Sequence, residues 1–248
     1  MNLFEIEYIW LFLLILPLVS FMYSSVGHGG ASGYLAMMTL FGFLPETMKP
    51  TALLLNLFVA AISFYYYWKN GHFNLKLFLV FSISSIPLAF IGGMMEIDTA
   101  LYKKILGVLL IFAILKLLNI FGKESNRINN VSLWKGLLIG STIGFFSGLI
   151  GIGGGIILTP IILLMQWGKM KEAAAVSALF IWVNSASGMA GQLASGVVLE
   201  PQAFILVGIA LIGGTLGGYF GSKKFNNKYL RYLLVFVLIL SCIKLFTT

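Results

Sequence analysis

Charged residues cut the chain into eight uncharged runs: 8–45, 50–68, 77–95 and 105–115 in the first half, then 136–168, 173–199, 201–222 and 232–243. The two shortest extend past a snorkelling Lys103, Lys104, Lys116 or Lys244 to roughly 20 residues, enough for a helix to span a bilayer. Labelled A to D within each half, the runs predict an all-α polytopic membrane protein. Run A is the exception to simple spanning. Its 38 residues in the first half and 33 in the second would make straight helices of about 57 and 50 Å, against a hydrocarbon core of about 30 Å. Run A must therefore turn back or be interrupted, and its glycines, together with Pro160, mark where.

Those glycines occur twice. Residues 147–160 read SGLIGIGGGIILTP, and 124 positions earlier SSVGHGGASGYLA at 24–36 aligns Gly27, Gly29 and Gly30 with Gly151, Gly153 and Gly154. The chain reads as a duplication within one membrane domain, 1–248: repeat 1 at 1–121, a hydrophilic linker at 122–135 and repeat 2 at 136–248. Each repeat is a broken or re-entrant first segment followed by three membrane helices, up to about ten helices in all. Pro45 and Pro50 around Glu46 and Lys49 read as a turn before run B, and Asn70-Gly71 as the turn after it. Gly213, Gly217 and Gly221, spaced by four, predict close helix packing in lipid.

Composition excludes a soluble globular domain: 59% of residues are hydrophobic, 10% are charged and the mean hydropathy is +0.99. The net charge of +8 sits in short loops, where it sets membrane orientation instead of recruiting nucleic acid. The first run is too long for a signal-peptide core and reads as a retained segment. If run A returns to its side of entry, twelve basic residues share one face (Lys69, Lys76, Lys116, Lys123, Arg127, Lys135, Lys169, Lys171, Lys223, Lys224, Lys228 and Arg231), and four (Lys49, Lys103, Lys104 and Lys244) share the other. A single crossing would split them nine to seven. The excess of basic residues on the cytoplasmic side favours the returning arrangement. The two repeats are then inverted, a common plan for secondary transporters, in the cell (cytoplasmic) membrane with both termini on the non-cytoplasmic side.

A glycine break in a membrane helix leaves backbone N–H groups that must find a partner. Where a half-helix begins at mid-depth, its N-terminus suits a small anion. Gly27, Gly29, Gly30, Gly151, Gly153, Gly154 and Gly155 are the candidates for that contact. Polar residues of run B can join them: Thr51, Asn56 and Ser63 in the first half, Ser177, Asn184, Ser185, Ser187 and Gln192 in the second, with Thr51-Ala52-Leu53 aligned on Ser177-Ala178-Leu179 so that each repeat carries a hydroxyl at one point. His28 stands where the second cluster has Ile152; it can donate to an anion, relay a proton or simply bond a carbonyl. Glu46, Glu96, Asp98, Glu172 and Glu200 all lie at run ends, so carboxylate-driven proton or sodium coupling has no obvious carrier, although Glu172 or His28 could still serve. Export of an anion from a cell held at 100 mV, inside negative, is downhill by about 2.3 kcal/mol per charge without one. The lone Cys242 excludes an internal disulfide, and two histidines without clustered carboxylates argue against a metal site. No cofactor is expected.

The motifs GHGGASGYL, TALLLN at 51–56, KNGHF at 69–73, FSGLIGIGGGIILTP and AAAVSALFIWVNSASGMAG at 173–191, in this order and spacing, make the chain resemble the sulfite exporter TauE/SafE family of bacterial and archaeal membrane proteins. The resemblance spans nearly the whole chain. It implies a two-repeat permease, not an enzyme, for sulfite, sulfonates such as sulfoacetate, or related anions. Ala31 stands opposite Gly155, and Pro160 has no first-half counterpart, so the two halves of the site are expected to be unequal. The reading is a secondary transporter of a small sulfur-containing oxyanion working by alternating access. A passive channel of the same fold, or a membrane enzyme or assembly factor in sulfur or cofactor metabolism, are the alternatives. The expected partners are the anionic substrate and the lipid bilayer; homo-oligomerisation is left open.

Overall fold

A computed structural model describes residues 8–118, 128–223 and 228–247. These residues form ten helices: α1 (Ile9–Ser24), α2 (Ala31–Leu40), α3 (Pro45–Lys69), α4 (Leu75–Met94), α5 (Thr99–Leu117), α6 (Leu133–Ile150), α7 (Gly155–Leu164), α8 (Met170–Ala194), α9 (Ala203–Lys223) and α10 (Lys228–Thr247). Of these, α3, α4, α6, α8 and α9 are long and apolar enough to cross a membrane. The chain is a multi-pass membrane protein. Most of the linker expected at 122–135 lies outside the described residues, and α6 already begins at Leu133.

Proline placement differs from the sequence expectation. Pro45 is the first residue of α3 and Pro50 lies inside it, so 45–50 is the opening of a helix and not a turn. Proline is well suited to a first helical position because its missing N–H would have no partner there, and Glu46 in the first turn complements the helix dipole. Pro160 likewise lies within α7; the second break is made by glycines alone.

Run A folds back on itself in both halves. Ser32 Oγ donates to Tyr23 Oη at 2.8 Å, while Phe41, just past α2, lies with its ring 5.4 Å from Phe12 near the start of α1. The two helices therefore run antiparallel. In the second half the Asn129 N–H before α6 donates to the Gln166 carbonyl just past α7 at 2.7 Å. With α1 of 16 residues and α2 of 10, the entering arm is about 24 Å long and the returning arm about 15 Å. The returning helix thus begins near the middle of the bundle.

Helix pairing is reciprocal: α1 packs on α9 and α6 on α4, α3 on α9 and α8 on α4, α2 on α10 and α7 on α5, with α3 against α8 and α5 against α10. Glycine stripes make the closest of these approaches. A Cβ on Gly213, Gly217 or Gly221 of α9 would strike the carbonyls of Pro17, Phe21 or Ser25, and one on Gly140, Gly144 or Gly148 of α6 would strike those of Phe81, Ser85 or Ala89. In lipid no hydrophobic force drives helices together, so such backbone proximity supplies much of the association. The α6 stripe was visible in the sequence as a four-residue period but was not singled out.

Candidate functional site

The two hairpin tips meet at the middle of α3 and α8. Each of these helices has 25 residues, and the twelfth is Asn56 in α3 and Ile181 in α8. A Cβ on Gly29 would lie 2.9 Å from Asn56 Cγ and 3.0 Å from Ile181 Cγ2; one on Gly153 would lie 2.9 Å from the same Ile181 atom and would strike Asn56 Nδ2. One side chain from each long helix thus touches both tips. Gly30 and Gly154 are the N-caps of α2 and α7, with φ of 105° and 76°. This left-handed backbone is open to glycine and costs other residues about 1–2 kcal/mol.

The two half-helix N-termini are treated differently. Asn56 Oδ1 accepts the Ala31 N–H at 3.1 Å, capping α2 from another helix, and Asn56 Nδ2 donates to Ser185 Oγ at 3.3 Å. The matching residue, Ile181, has no polar atom with which to cap α7, and its side chain packs on Gly155 instead, 2.5 Å from a Cβ built there. Close by, Ser147 is fully buried with no partner for its Oγ, and its Cβ would lie 3.6 Å from a Cβ on Gly154. Asn184 donates to the Phe180 carbonyl at 2.8 Å, but its Oδ1 has no partner. An unmatched buried polar atom costs about 1–3 kcal/mol.

His28 spans the interface between the hairpins. Its Nδ1 lies 2.8 Å from the Val26 carbonyl, and its Nε2 lies 3.1 Å from the Gly155 carbonyl and 3.2 Å from Thr159 Oγ1. As a neutral ring protonated on Nδ1, it donates to Val26 and accepts from Thr159; as a cation it donates to both carbonyls. Thr159 Oγ1 is 2.7 Å from Ser177 Oγ, so histidine, threonine and serine form one chain of polar contacts. Thr159 was not among the residues picked from sequence. A threonine beside Pro160 in an apolar helix was its only signal.

Gly27 and Gly151 sit away from this centre. A Cβ on Gly27 would strike Ala174, and one on Gly151 would lie 2.9 Å from the Lys49 carbonyl. Both contacts involve the fifth residue of a 25-residue helix, which fixes the structural equivalence at 125 positions. The alignment of Thr51 with Ser177 is therefore one residue out of register: Thr51 matches Val176, and Ser177 matches Ala52. One residue is 100° of helix rotation. Accordingly Ser177 faces Thr159 and the centre, whereas Thr51 faces a cavity.

That cavity, about 600 Å³, lies at the end of the bundle where α3 begins and α4 and α8 finish. Lys49, Thr51, Tyr102 and Gln192 line it, with Glu46, Glu96 and Glu200. Lys49 Nζ donates to the carbonyls of Gly93 and Met95 at 3.2 Å each, and Tyr102 Oη donates to the Ile150 carbonyl at 3.1 Å. Gln192 is 1% exposed, and neither polar atom of its amide has a partner. The opposite end is closed among the described residues. Tyr67 Oη donates to the Ser25 carbonyl at 2.8 Å and packs with Ala174, Ala175 and Phe73. Lys171 Nζ donates to the carbonyls of Ser222, at 2.8 Å, and Lys223. Among the described residues no cluster of histidine, cysteine, aspartate or glutamate could hold a metal ion.

Residues 12–245 match the family described as Sulfite exporter TauE/SafE. The chain is 34% identical over 232 residues to the probable membrane transporter protein y4hK of Sinorhizobium fredii, covering 92% of this chain and 94% of the relative. It is 30% identical over 258 residues to a probable membrane transporter protein of Methanocaldococcus jannaschii, with the same coverages of 92% and 94%. A probable membrane transporter protein of Bacillus subtilis, YdhB, is 25% identical over 224 residues, 87% of this chain and 90% of the relative. No solved structure matches the chain.

Proposed function

The chain belongs to the sulfite exporter TauE/SafE family, a family of membrane transporters and not of enzymes, and from that premise we propose that it carries a small sulfur-containing oxyanion, sulfite or an organosulfonate such as sulfoacetate, by alternating access. The observation that carries this reading is the meeting of the α2 and α7 N-termini around Asn56. Each helix N-terminus is equivalent to roughly half a positive charge, so the pair offers about one, without a lysine whose desolvation would have to be offset. Backbone N–H groups at Gly153, Gly154 and Gly155 are the anion's donors, with Asn56 and His28 at the rim. Ser147 Oγ and Asn184 Oδ1 add polar groups that water or substrate can complete.

The two repeats are inverted in this reading. The positive-inside rule puts the cavity on the non-cytoplasmic side of the cell membrane with both termini, and the Tyr67 end in the cytoplasm. An occluded end opposite an accessible one favours a carrier over a passive pore.

Proteoliposomes loaded with unlabelled sulfite should transiently accumulate labelled sulfite from outside, the counterflow expected of a carrier. Gly154→Leu should abolish it, because the new side chain meets Ile143 and Phe180, with its Cβ 2.5 and 3.0 Å from their atoms, and must adopt a positive φ. Gly154→Ala, strained but smaller, should keep partial flux and report on folding. Normal counterflow in Gly154→Leu protein would sink the central site. Ion currents far above carrier turnover would replace the carrier with a channel.

A further inference from the structure

The cavity has chemistry of its own. Gln192 borders it near the end of α8, its amide buried just beneath the wall with a donor and an acceptor both unmatched, so that a small side-chain turn would present them to the cavity. A buried carboxamide in this state is complemented by a ligand that presents an acceptor and a donor side by side. Beside it, the Lys49 ammonium uses two of its three protons on the Gly93 and Met95 carbonyls, so the third can reach a ligand oxygen, as can the Thr51 hydroxyl. The charged and titratable groups on the remaining walls are Glu46 on α3, Glu96 before α5, Tyr102 on α5 and Glu200 before α9. Three carboxylates against one ammonium penalise every negative charge on a ligand, a dianion about twice as much as a monoanion, and the centre beyond offers only about one positive charge from two helix ends.

We propose that Gln192, with Lys49 and Thr51, forms an outer subsite that selects singly charged oxyanions bearing a hydrogen-bond donor of their own, such as hydrogen sulfite or a hydroxylated sulfonate. The proposal rests on the anion-transport reading. It assigns selectivity to one end of the molecule only. The positions matching Gln192 and Lys49 at the other end are Tyr67, whose hydroxyl is already bonded to Ser25, and Ala174.

The test is calorimetric titration of the full chain in nanodiscs with 2-hydroxyethanesulfonate, ethanesulfonate and sulfate. The first two carry one charge and differ by a hydroxyl; the third is a dianion. The hydroxylated sulfonate should bind about 10-fold more tightly than ethanesulfonate, and sulfate about 10-fold more weakly than either. Gln192→Leu should bring the hydroxyl preference to about one, and the near-isosteric Gln192→Glu should weaken both sulfonates by adding a fourth carboxylate. A wild-type preference near one, or a preference retained in Gln192→Leu protein, overturns the subsite. Counterflow of sulfite by that same wild-type protein would leave the transport reading standing, whereas its absence together with no binding of any of the three anions would mean that the transport reading itself has failed.

Discussion

At one end of the bundle Lys49, Thr51 and Gln192 line a cavity of about 600 Å³; at the other, Ala174 and Tyr67 take the positions of Lys49 and Gln192 and close on the tip of the first hairpin. The helices around the two ends match closely in length: α3 and α8 have 25 residues each, and α4 and α9 have 20 and 21. A near-identical frame is thus open at one end and shut at the other because of a few side chains. An aromatic ring fills the closed end and its hydroxyl satisfies a hairpin carbonyl. The open end holds an amide with nothing to bond. For an alternating-access carrier the shut end must part, and the Tyr67–Ser25 bond is one of the contacts that must then break.

The sharpest way to break this comparison uses thiols. In a Cys242→Ala background, Thr51→Cys should react with a small methanethiosulfonate reagent roughly 100-fold faster than Ser177→Cys, since the latter must wait for a local opening. Equal rates would mean that the two ends are equally accessible, and the asymmetry would be lost. A smaller effect is expected from Tyr67→Phe. Removing the hydroxyl leaves the Ser25 carbonyl without its donor at a cost of about 1–3 kcal/mol, which should raise Ser177→Cys labelling about 5-fold or more and leave Thr51→Cys labelling no faster. Unchanged Ser177→Cys labelling would show that this bond does not hold the end shut.

The smallest effect belongs to the rim of the open end. Asp98 Oδ2 accepts the Leu101 N–H at 2.9 Å at the start of α5, and that bond holds its carboxyl below the ordinary range. A depressed folded-state pKa means that this stabilisation is present at neutral pH and fades as pH falls through the folded value. Asp98→Ala should therefore lower Tm slightly at pH 7, with the difference from wild type vanishing in acid, and should leave the thiol-rate ratio unchanged. A changed ratio would tie this cap to the state of the cavity.

Much of the frame was legible from spacing and composition. Run A was too long to cross once, and its glycines fell where the hairpins turn. The period of Gly213, Gly217 and Gly221 foretold backbone contact, here with Pro17, Phe21 and Ser25. Less legible were the prolines: Pro45 and Pro50 looked like punctuation but open and occupy α3, since a first-turn proline lacks only an N–H that would have no helical partner. Pairing Thr51 with Ser177 failed for a different reason. Similar tripeptides can align one residue out of register, and in a helix that slip turns a side chain by 100°, from the cavity wall to the Thr159 contact.

The amino-acid sequence by itself determined that this chain is helical, lies in a membrane and breaks the first run of each half once, because chain length against bilayer thickness and the backbone freedom of glycine are local properties. Tertiary structure alone decided that Asn56 caps α2 while its counterpart Ile181 cannot cap α7, that His28 reaches Gly155 and Thr159, and that Gln192 is left unmatched beneath the wall of an open cavity. Each of these depends on which groups meet across long stretches of chain. A buried polar group acquires its role from the partner that packing brings within 3 Å or withholds.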